Sequence, residues 1–582
     1  MKKILSAFLA VLLVIILTIP GTVMADTFDD IAVLYTNDVH CAVSTNIGYA
    51  GLAAYKNDMK LTYGVNNVTL VDAGDAIQGA AIGTLSKGEY IIDIMNTVGY
   101  DIATYGNHEF DYGMNRLKEL VAKSGATYVS ANFTDLVSGK TVSDPYKIVT
   151  YGSVKVAYVG VSSPGTFTTS TPAYFQNEHG EYIYGFCEDS TGAKLYAAVQ
   201  TAVDKALGEG ADYVIAVCHL GTEEDSAPWR STDVIANTTG IDAVIDGHSH
   251  STIACRKVSN KSGKEVILTS TGTQLHAIGK LVITASGISS ELITGYTGKD
   301  AAVGAYVTNI ENEYAALLHK VVAKSSVQLT INDSATGNRL IRSGETNLGD
   351  LCADAYRNAL GADIAILNGG CIRANIAAGD ITYNDIISVH PFGNMLCMVE
   401  ATGREIQDAL EMGARNMPKE NGGFLQVSGL AYEIRTYIPS SVVVDDKGMY
   451  VKTGGEYRVR NVRILNTKTG KYEPIDPDRA YTVASHNYML KNGGDGINMF
   501  MDNTILQNEV MIDNQVLINY IVDSLGGLVG EKYANQYGAS RISVLTKAPA
   551  APETSDSASV NAVFMLTISA AAVLLYMRKK CR

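Results

Sequence analysis

Cysteine is sparse and scattered in this chain: its eight residues, at positions 41, 187, 218, 255, 352, 371, 397 and 581, form no Cys-x-x-Cys pair. That spacing offers no thiolate zinc site and no disulfide framework, and isolated thiols of this kind serve as small buried residues. Positive charge is short as well, with 46 Lys and Arg against 60 Asp and Glu. Setting aside Lys2, Lys3 and the four basic residues of the tail leaves about 40 basic residues for the bulk of the chain, a surface that repels polynucleotide backbones. A nucleic acid polymer is therefore excluded as a partner, whereas a small anion inside a locally positive pocket is not. With 46% hydrophobic and 18% charged residues there is material for large cores and no sign of general disorder. A length of 582 residues exceeds what one core usually holds, so two domains are expected.

The two ends read as export and attachment. Met1-Lys2-Lys3, the apolar run Ile4 to Ile19 and then Val23-Met24-Ala25 follow the charged, apolar, small-residue order of a secretory signal over residues 1–25, with a retained membrane helix as the other reading. Residues 547–559 are polar and patternless, a flexible linker. Residues 560–582 carry the apolar run Ala562 to Met577 and the basic end Arg578-Lys579-Lys580-Cys581-Arg582, the pattern of a membrane anchor whose cations stay inside. The bulk of the protein is expected outside the cytoplasmic membrane, attached to the cell surface.

Between residues 26 and 300 one pattern recurs five times: a strand-like run that stops at a ligand-capable side chain. Ile31 to Tyr35 leads to Asn37-Asp38-Val39-His40, where an Asp and a His one residue apart can share a cation. Asn67 to Val71 leads to Asp72-Ala73-Gly74-Asp75-Ala76-Ile77-Gln78-Gly79; a carboxylate has two oxygens, so Asp75 can bridge two cations. After a helix over Glu89 to Val98, the run Tyr100 to Tyr105 leads to Gly106-Asn107-His108-Glu109-Phe110-Asp111. There Asn107 offers an amide oxygen, His108 an imidazole able to donate to a phosphoryl oxygen, and Asp111 a carboxylate that fixes its tautomer. The strand Ser153 to Val161, a Ser/Thr/Pro/Tyr-rich insertion and a helix over Ala193 to Leu207 precede the apolar run Asp212 to Cys218, which delivers His219. Ile241 to Ile245 then delivers Asp246-Gly247-His248-Ser249-His250. Open α/β folds gather their sites beyond the carboxyl ends of strands, and oxygen and nitrogen donors without thiolate suit two divalent ions such as Zn, Mn, Fe or Mg.

These five segments resemble the calcineurin-like metallophosphoesterases, specifically their secreted 5′-nucleotidase branch. The resemblance implies an N-terminal four-layer α/β/β/α metallophosphoesterase domain over 26–300. It implies one metal held by Asp38, His40, Asp75 and His250, and a second by Asp75, Asn107, His219 and His248. It also implies direct attack on phosphorus by a metal-bound hydroxide, with His108, positioned by Asp111 beside Asn107, stabilising the charge that develops on the phosphoryl oxygens. Cys41 stands where Gly usually follows the His, and His250 where relatives often carry Gln or Asn. At the other end, Ala551-Pro552-Glu553-Thr554-Ser555 with the apolar run and basic tail resembles a Gram-positive sortase sorting signal, departing from it at Ala551 and Ser555, and implies processing after Thr554.

Ile310, Tyr314, Leu317, Leu318 and Val321 recur at helical spacing, so residues 301–325 are expected to be a helix, either joining two domains or ending the first. Beyond it, over 326–546, Arg342 to Asp350 and a helix precede Ile364 to Leu367, which runs into Asn368-Gly369-Gly370-Cys371-Ile372-Arg373. A Gly-rich turn after a strand exposes N–H groups to an anion, and the Arg adds a charge-assisted bond. His390-Pro391-Phe392-Gly393-Asn394 and the stretch Asn487 to Gly496 each set an aromatic beside a turn; such rings are either core or a pair able to sandwich a base. These segments resemble the α+β substrate-binding domain of 5′-nucleotidases, with Cys371 in place of a Gly and one extra residue between Tyr488 and Asp495. By that resemblance Arg342, Asn368, Gly370 and Arg373 grip phosphate and ribose, Phe392 and Tyr488 stack the base, and Asp495 accepts from ribose hydroxyls, a domain rotation bringing substrate to the metals. The implied activity is removal of the 5′-phosphate of extracellular nucleotides. The alternatives are a 2′,3′-cyclic-nucleotide phosphodiesterase/3′-nucleotidase or UDP-sugar hydrolase on the same fold, and, from another class, a catalytically inactive surface binding protein.

Overall fold

The structure, a computed structural model, describes residues 29–548. The expected signal over 1–25, the expected anchor over 560–582 and the segment resembling a sorting motif lie outside the described residues. Among the described residues no helix is long and apolar enough to cross a membrane.

Two six-stranded sheets face each other in the first domain. One runs Gly287–Thr294, Ala277–Thr284, Ile31–Thr36, Val68–Asp72, Ile102–Ala103, Thr127–Tyr128; the other runs Thr252–Ser259, Glu265–Thr271, Ala243–Ile245, Tyr213–His219, Val154–Ser162, Tyr146–Tyr151. Side chains alternate across a strand, so each central strand serves two cores. Ile31, Val33 and Tyr35 meet Val156, Tyr158, Ile215 and Val217 between the sheets. Ala32 and Leu34 instead face the helices Gly48–Tyr63 and Glu89–Val98, and Ala157, Val159 and Val214 face the helices Ala193–Gly208 and Ser231–Asn237. The result is a four-layer α/β/β/α domain. Burial on both faces is the reason that Val214 to Cys218 is unbroken apolar sequence.

The strands Ile31–Thr36, Val68–Asp72 and Ile102–Ala103 are parallel neighbours in one sheet, as Tyr213–His219 and Ala243–Ile245 are in the other. Five carboxyl ends therefore open on one edge of the sandwich. The insertion after Ser162 folds beside that edge, where Phe175 and Phe186 pack edge-on against Phe110 and so brace the turn that carries His108.

The helix expected over 301–325 is shorter. Asp300 caps it by accepting from the Ala302 and Val303 amides, and it ends at Leu318. Val303, Val307 and Ile310 bury against the first domain. Val321–Ser325, which continues the apolar spacing, is instead a strand paired with Gly379–Thr382 and Leu528–Val529. Its partners lie far along the chain, and helical periodicity carries no information about them.

The second domain is α+β. Its central sheet runs Leu425–Ser428, Ile364–Asn368, Ala480–His486, Leu396–Thr402, Ile505–Gln507, with the helix Asn347–Leu360 on one face and Gly403–Gly413 on the other. Hydrogen bonds cross between the domains, from Thr84 Oγ1 to the Pro391 carbonyl at 2.5 Å and from the Tyr488 hydroxyl to the Thr168 carbonyl at 2.6 Å.

Candidate metal centre and cleft

The residues after the five strands converge into three overlapping groups: Asp38, His40 and His250; His40, Asp75 and His108; and Asp75, His219 and His248. Within each group the ligand atoms lie within 4.8 Å of one another. Backbone bonds lock the loops together, from the Asp38 amide to Gly74 O at 2.9 Å and from the His40 amide to Asp75 O at 2.9 Å. The geometry is strained. Asp38, His40, Cys41, Asp75, His248 and His250 all hold left-handed backbone, with φ between 48° and 80°, a conformation that costs a non-glycine residue about 1 kcal/mol or more and persists only where its surroundings enforce it. The same conformation at Cys41 explains why glycine suits that position. Gly74, at φ 91°, meets a second limit, since a Cβ there would lie 2.8 Å from His219 Nδ1.

Lone pairs meet in this pocket. The Ala73 carbonyl accepts the His219 Nδ1 proton at 2.7 Å, so Nε2 points inward, buried and 3.1 Å from Asp75 Oδ2. Against the effect of burial, Asp75 and Asp38 push the His219 pKa up to about 10, and a metal cation in place of that proton would meet a lone pair. His40 Nδ1 is likewise 3.0 Å from the Gln78 carbonyl, and its Nε2 faces His250 Nε2 at 3.0 Å. His248 Nδ1 lies 2.8 Å from Asn107 Oδ1, while Asp38 accepts from the His248 amide at 3.0 Å and from Asn37 Nδ2 at 2.7 Å. Burial holds the His40 and His248 imidazoles near pKa 3, so both are neutral donors. Burial raises the Asp38 carboxyl; it would raise Asp75 too, but His219 holds Asp75 well below the usual carboxylate range. The His40 and His248 nitrogens and the carboxylate oxygens converge at distances that are repulsive unless a positive charge, the His219 proton or a metal ion, lies among them, and the donor set fits divalent ions.

His108 sits at the rim of this group. Its Nδ1 is 2.5 Å from Asp111 Oδ2, and Asp111 Oδ1 accepts from Ser170 Oγ at 3.0 Å. Burial would lower the His108 pKa, yet Asp111 and Asp75 raise it. Glu109, quoted in the motif but given no role there, turns inward: its oxygens accept from the amides of Asp75 at 2.8 Å, Ala76 at 2.9 Å and Gly106 at 2.7 Å. One buried carboxylate thus ties the Asp75 loop to the Asn107 turn, and its three backbone donors are the reason a Glu can be buried there.

Above the centre lies a cleft of about 1280 Å³ between the domains, lined from the first by Asp75, Asn107, His108, Asp111, His248 and His250. Asp38, His40 and His219 stand behind these. The second domain contributes Arg342, Asn368, Gly370, Arg373, Phe392, Tyr488 and Asp495, so every second-domain residue singled out in the sequence lines it. Arg339 and Arg415 line it too and escaped sequence reasoning; Arg339 lies three residues before Arg342, a spacing that was available as a signal. Burial, and then the guanidinium of Arg339, lower the pKa of both Arg342 and Arg373. Crowded guanidinium groups of this kind gain from an anion. The two aromatics are engaged differently from a simple ring sandwich. Phe392 stacks on His108 with Arg373 over its ring at 5.8 Å, and the Tyr488 hydroxyl accepts the Asp495 amide proton at 3.0 Å.

The same pairing of domains occurs in known proteins. The profile of the calcineurin-like phosphoesterase family matches residues 31–252, and that of the 5′-nucleotidase C-terminal domain matches residues 321–502. The chain is 28% identical over 550 residues to the trifunctional nucleotide phosphoesterase protein YfkN of Bacillus subtilis, across 86% of this chain but 34% of that protein, so it spans about a third of that relative. It is 28% identical over 575 residues to protein UshA of Yersinia enterocolitica, across 90% and 96% of the two chains. The crystal structure of the 5′-nucleotidase precursor from Thermus thermophilus superimposes with a TM-score of 0.73 at 26% identity, over 89% of this chain and 100% of that one. Fold, site and relatives together define a metal-dependent phosphoesterase, a hydrolase. The chain belongs to the 5′-nucleotidase family, in which a calcineurin-like phosphoesterase domain precedes a 5′-nucleotidase C-terminal domain.

Proposed function

We propose that the protein removes the 5′-phosphate of nucleotides, giving nucleoside and phosphate, with two divalent ions at its centre. The observation that carries this reading is the set of overlapping donor groups, two of which share Asp75, facing arginines across one cleft. Asp38, His40, Asp75 and His250 would hold one ion, and Asp75, Asn107, His219 and His248 the other. When bound, such ions polarise phosphoryl oxygens and make water a nucleophile near neutral pH.

The remaining work falls to side chains. Asp111 orients His108 and, with Asp75, raises its pKa against the effect of burial, which favours an Nε2–H able to donate to a phosphoryl oxygen as negative charge grows there. Arg342 and Arg373 neutralise the phosphate from the opposite wall, and Asn368 and Asp495 hold the sugar. Phe392 and Tyr488 bound the base. Glu109 acts earlier, by holding the Asp75 and Asn107 loops at the spacing the donors need.

A second reading has an observation of its own. The cleft, at about 1280 Å³, exceeds the roughly 300–1,000 Å³ typical of small-ligand pockets, which leaves room for the larger nucleotide sugars, and the relative YfkN is named a trifunctional nucleotide phosphoesterase. A panel of AMP, 3′-AMP, 2′,3′-cyclic AMP and UDP-glucose, run with Mn and with Zn, separates the two. AMP should give the highest kcat/KM; a faster reaction with the cyclic nucleotide or UDP-glucose would reject the 5′-nucleotidase reading in favour of the second. The N-terminal signal and the C-terminal apolar run with its basic end support an enzyme working outside the cytoplasmic membrane on extracellular nucleotides, tethered by that segment or by sortase processing at Thr554.

A further inference from the structure

His486 ends the strand Ala480–His486, and Asn368 ends its parallel neighbour Ile364–Asn368. Parallel pairing carries the carboxyl ends of both strands to the same edge of the sheet, where Asn368 lines the cleft. His486 is fully buried and is not among the residues lining the cleft. Its Nε2 lies 3.0 Å from Asn368 Oδ1, and Asn368 Nδ2 donates to Asp495 Oδ2 at 2.7 Å. Asp495 is itself constrained, with left-handed backbone at φ 55° and its amide held by the Tyr488 hydroxyl.

A side-chain amide has two unlike ends. Turned one way, Asn368 presents its NH₂ to the Asp495 carboxylate. Turned the other way, it sets an oxygen against that carboxylate, which is repulsive in a buried site. Burial holds His486 near pKa 3, so the imidazole is neutral and has a single N–H. With that proton on Nε2, only the first arrangement satisfies all three residues.

We propose that His486 is a positioning residue for the sugar of the substrate: by donating Nε2–H to Asn368 Oδ1 it locks the amide, which in turn holds Asp495 Oδ2 and so fixes the carboxylate that accepts from a sugar hydroxyl. This rests on the reading of Asn368 and Asp495 as sugar-binding residues. The ligand class is a ribonucleoside or its phosphate esters, and His486 contributes without touching the ligand.

The test compares His486→Phe, which keeps a ring but has no donor, with His486→Gln, whose amide N–H can replace Nε2–H. Each is assayed on AMP and on p-nitrophenyl phosphate, which has no sugar, and each is titrated with adenosine by calorimetry. His486→Phe should lower the ratio of kcat/KM for AMP to that for p-nitrophenyl phosphate by about tenfold, through KM, and weaken adenosine binding by a similar factor. His486→Gln should recover most of both. An unchanged ratio in a folded His486→Phe, or equal losses on both substrates that Gln does not repair, would overturn the role of His486. Asn368→Ala and Asp495→Ala provide the control: unchanged adenosine binding in both would overturn the sugar-binding reading and this proposal together, whereas weakened binding there with normal binding in His486→Phe would overturn only the latter.

Discussion

The ring of Phe392 lies stacked on the imidazole of His108, with centroids 5.6 Å apart and planes inclined by 26°, although the two residues come from different domains. A ring that served only as a base platform would have no reason to touch the residue proposed to stabilise charge on phosphate. In this arrangement one aromatic both closes the cleft and packs against His108. Phe392→Ala should therefore reduce kcat on AMP and on p-nitrophenyl phosphate alike, with a further loss on AMP from the roughly 1–3 kcal/mol that base stacking contributes. Steady-state kinetics on the two substrates checks this, and a loss confined to AMP would show that the contact with His108 has no bearing on turnover.

His108 and Asp75 should separate in their effects. His108→Ala is expected to lower kcat by about 10²–10³ and leave the metal content of the purified protein at the wild-type level. Asp75→Asn removes charge from the carboxylate common to two donor groups, so metal and activity should fall together. Elemental analysis by mass spectrometry alongside the assay reads both quantities. Normal turnover in His108→Ala would remove it from the mechanism.

Tyr488 has two parts to test. Its hydroxyl links the Asp495 amide to the Thr168 carbonyl of the other domain, while its ring packs against Gly494. Tyr488→Phe keeps the ring and should raise KM for AMP several-fold, because a bond between the two domains that form the cleft is lost; Tyr488→Ala should raise it further. Identical KM values in Tyr488→Phe and wild type would assign the whole contribution to the ring.

Acid stability should depend on Asp354. It accepts from Arg541 at 2.9 Å, Lys532 at 2.9 Å and Ser428 at 2.6 Å. Burial alone would raise its pKa, yet Arg541, Ser428 and Lys532 draw it from 3.8 down to about 2. A folded pKa below the unfolded one gives stability that is present above pH 3.8 and lost as pH falls through about 2, worth about 2 kcal/mol. Asp354→Asn should lower the urea midpoint of the second domain at pH 7, and its gap to wild type should narrow between pH 4 and pH 2. A gap that stays constant across that range would show that the charge on Asp354 contributes nothing.

Sequence and structure differ most where a residue's role depends on partners far along the chain. The donor-bearing loops were legible because each follows a run buried on one or both faces, so strand and loop separate cleanly around Asp38, Asp75, His219 and His248. Arg415 and His486 were not, since nothing in their immediate neighbours marks them, and Arg339 offered only its spacing from Arg342; their significance comes from Asp495, Asn368 and Glu420. Val321 kept the apolar spacing of Leu317 and Leu318 past the end of their helix, and only pairing with Gly379–Thr382 and Leu528–Val529 makes a strand of Val321–Ser325. Glu109 was visible as a residue, but its inward turn needs the amides of Asp75 and Gly106.

By itself, the order of residues determined the α/β class, the succession of strands and loops, and the supply of carboxylate, amide and imidazole groups at strand ends, because periodicity and side-chain chemistry are local properties. The tertiary structure alone decided that two sheets bring five loops to one edge, that Glu109 ties the Asp75 loop to the Asn107 turn, that Phe392 rests on His108, and that a buried His486 orients Asn368. Those relations join segments separated by tens to hundreds of residues, and they exist only once packing of both sheet faces has set the distances between them.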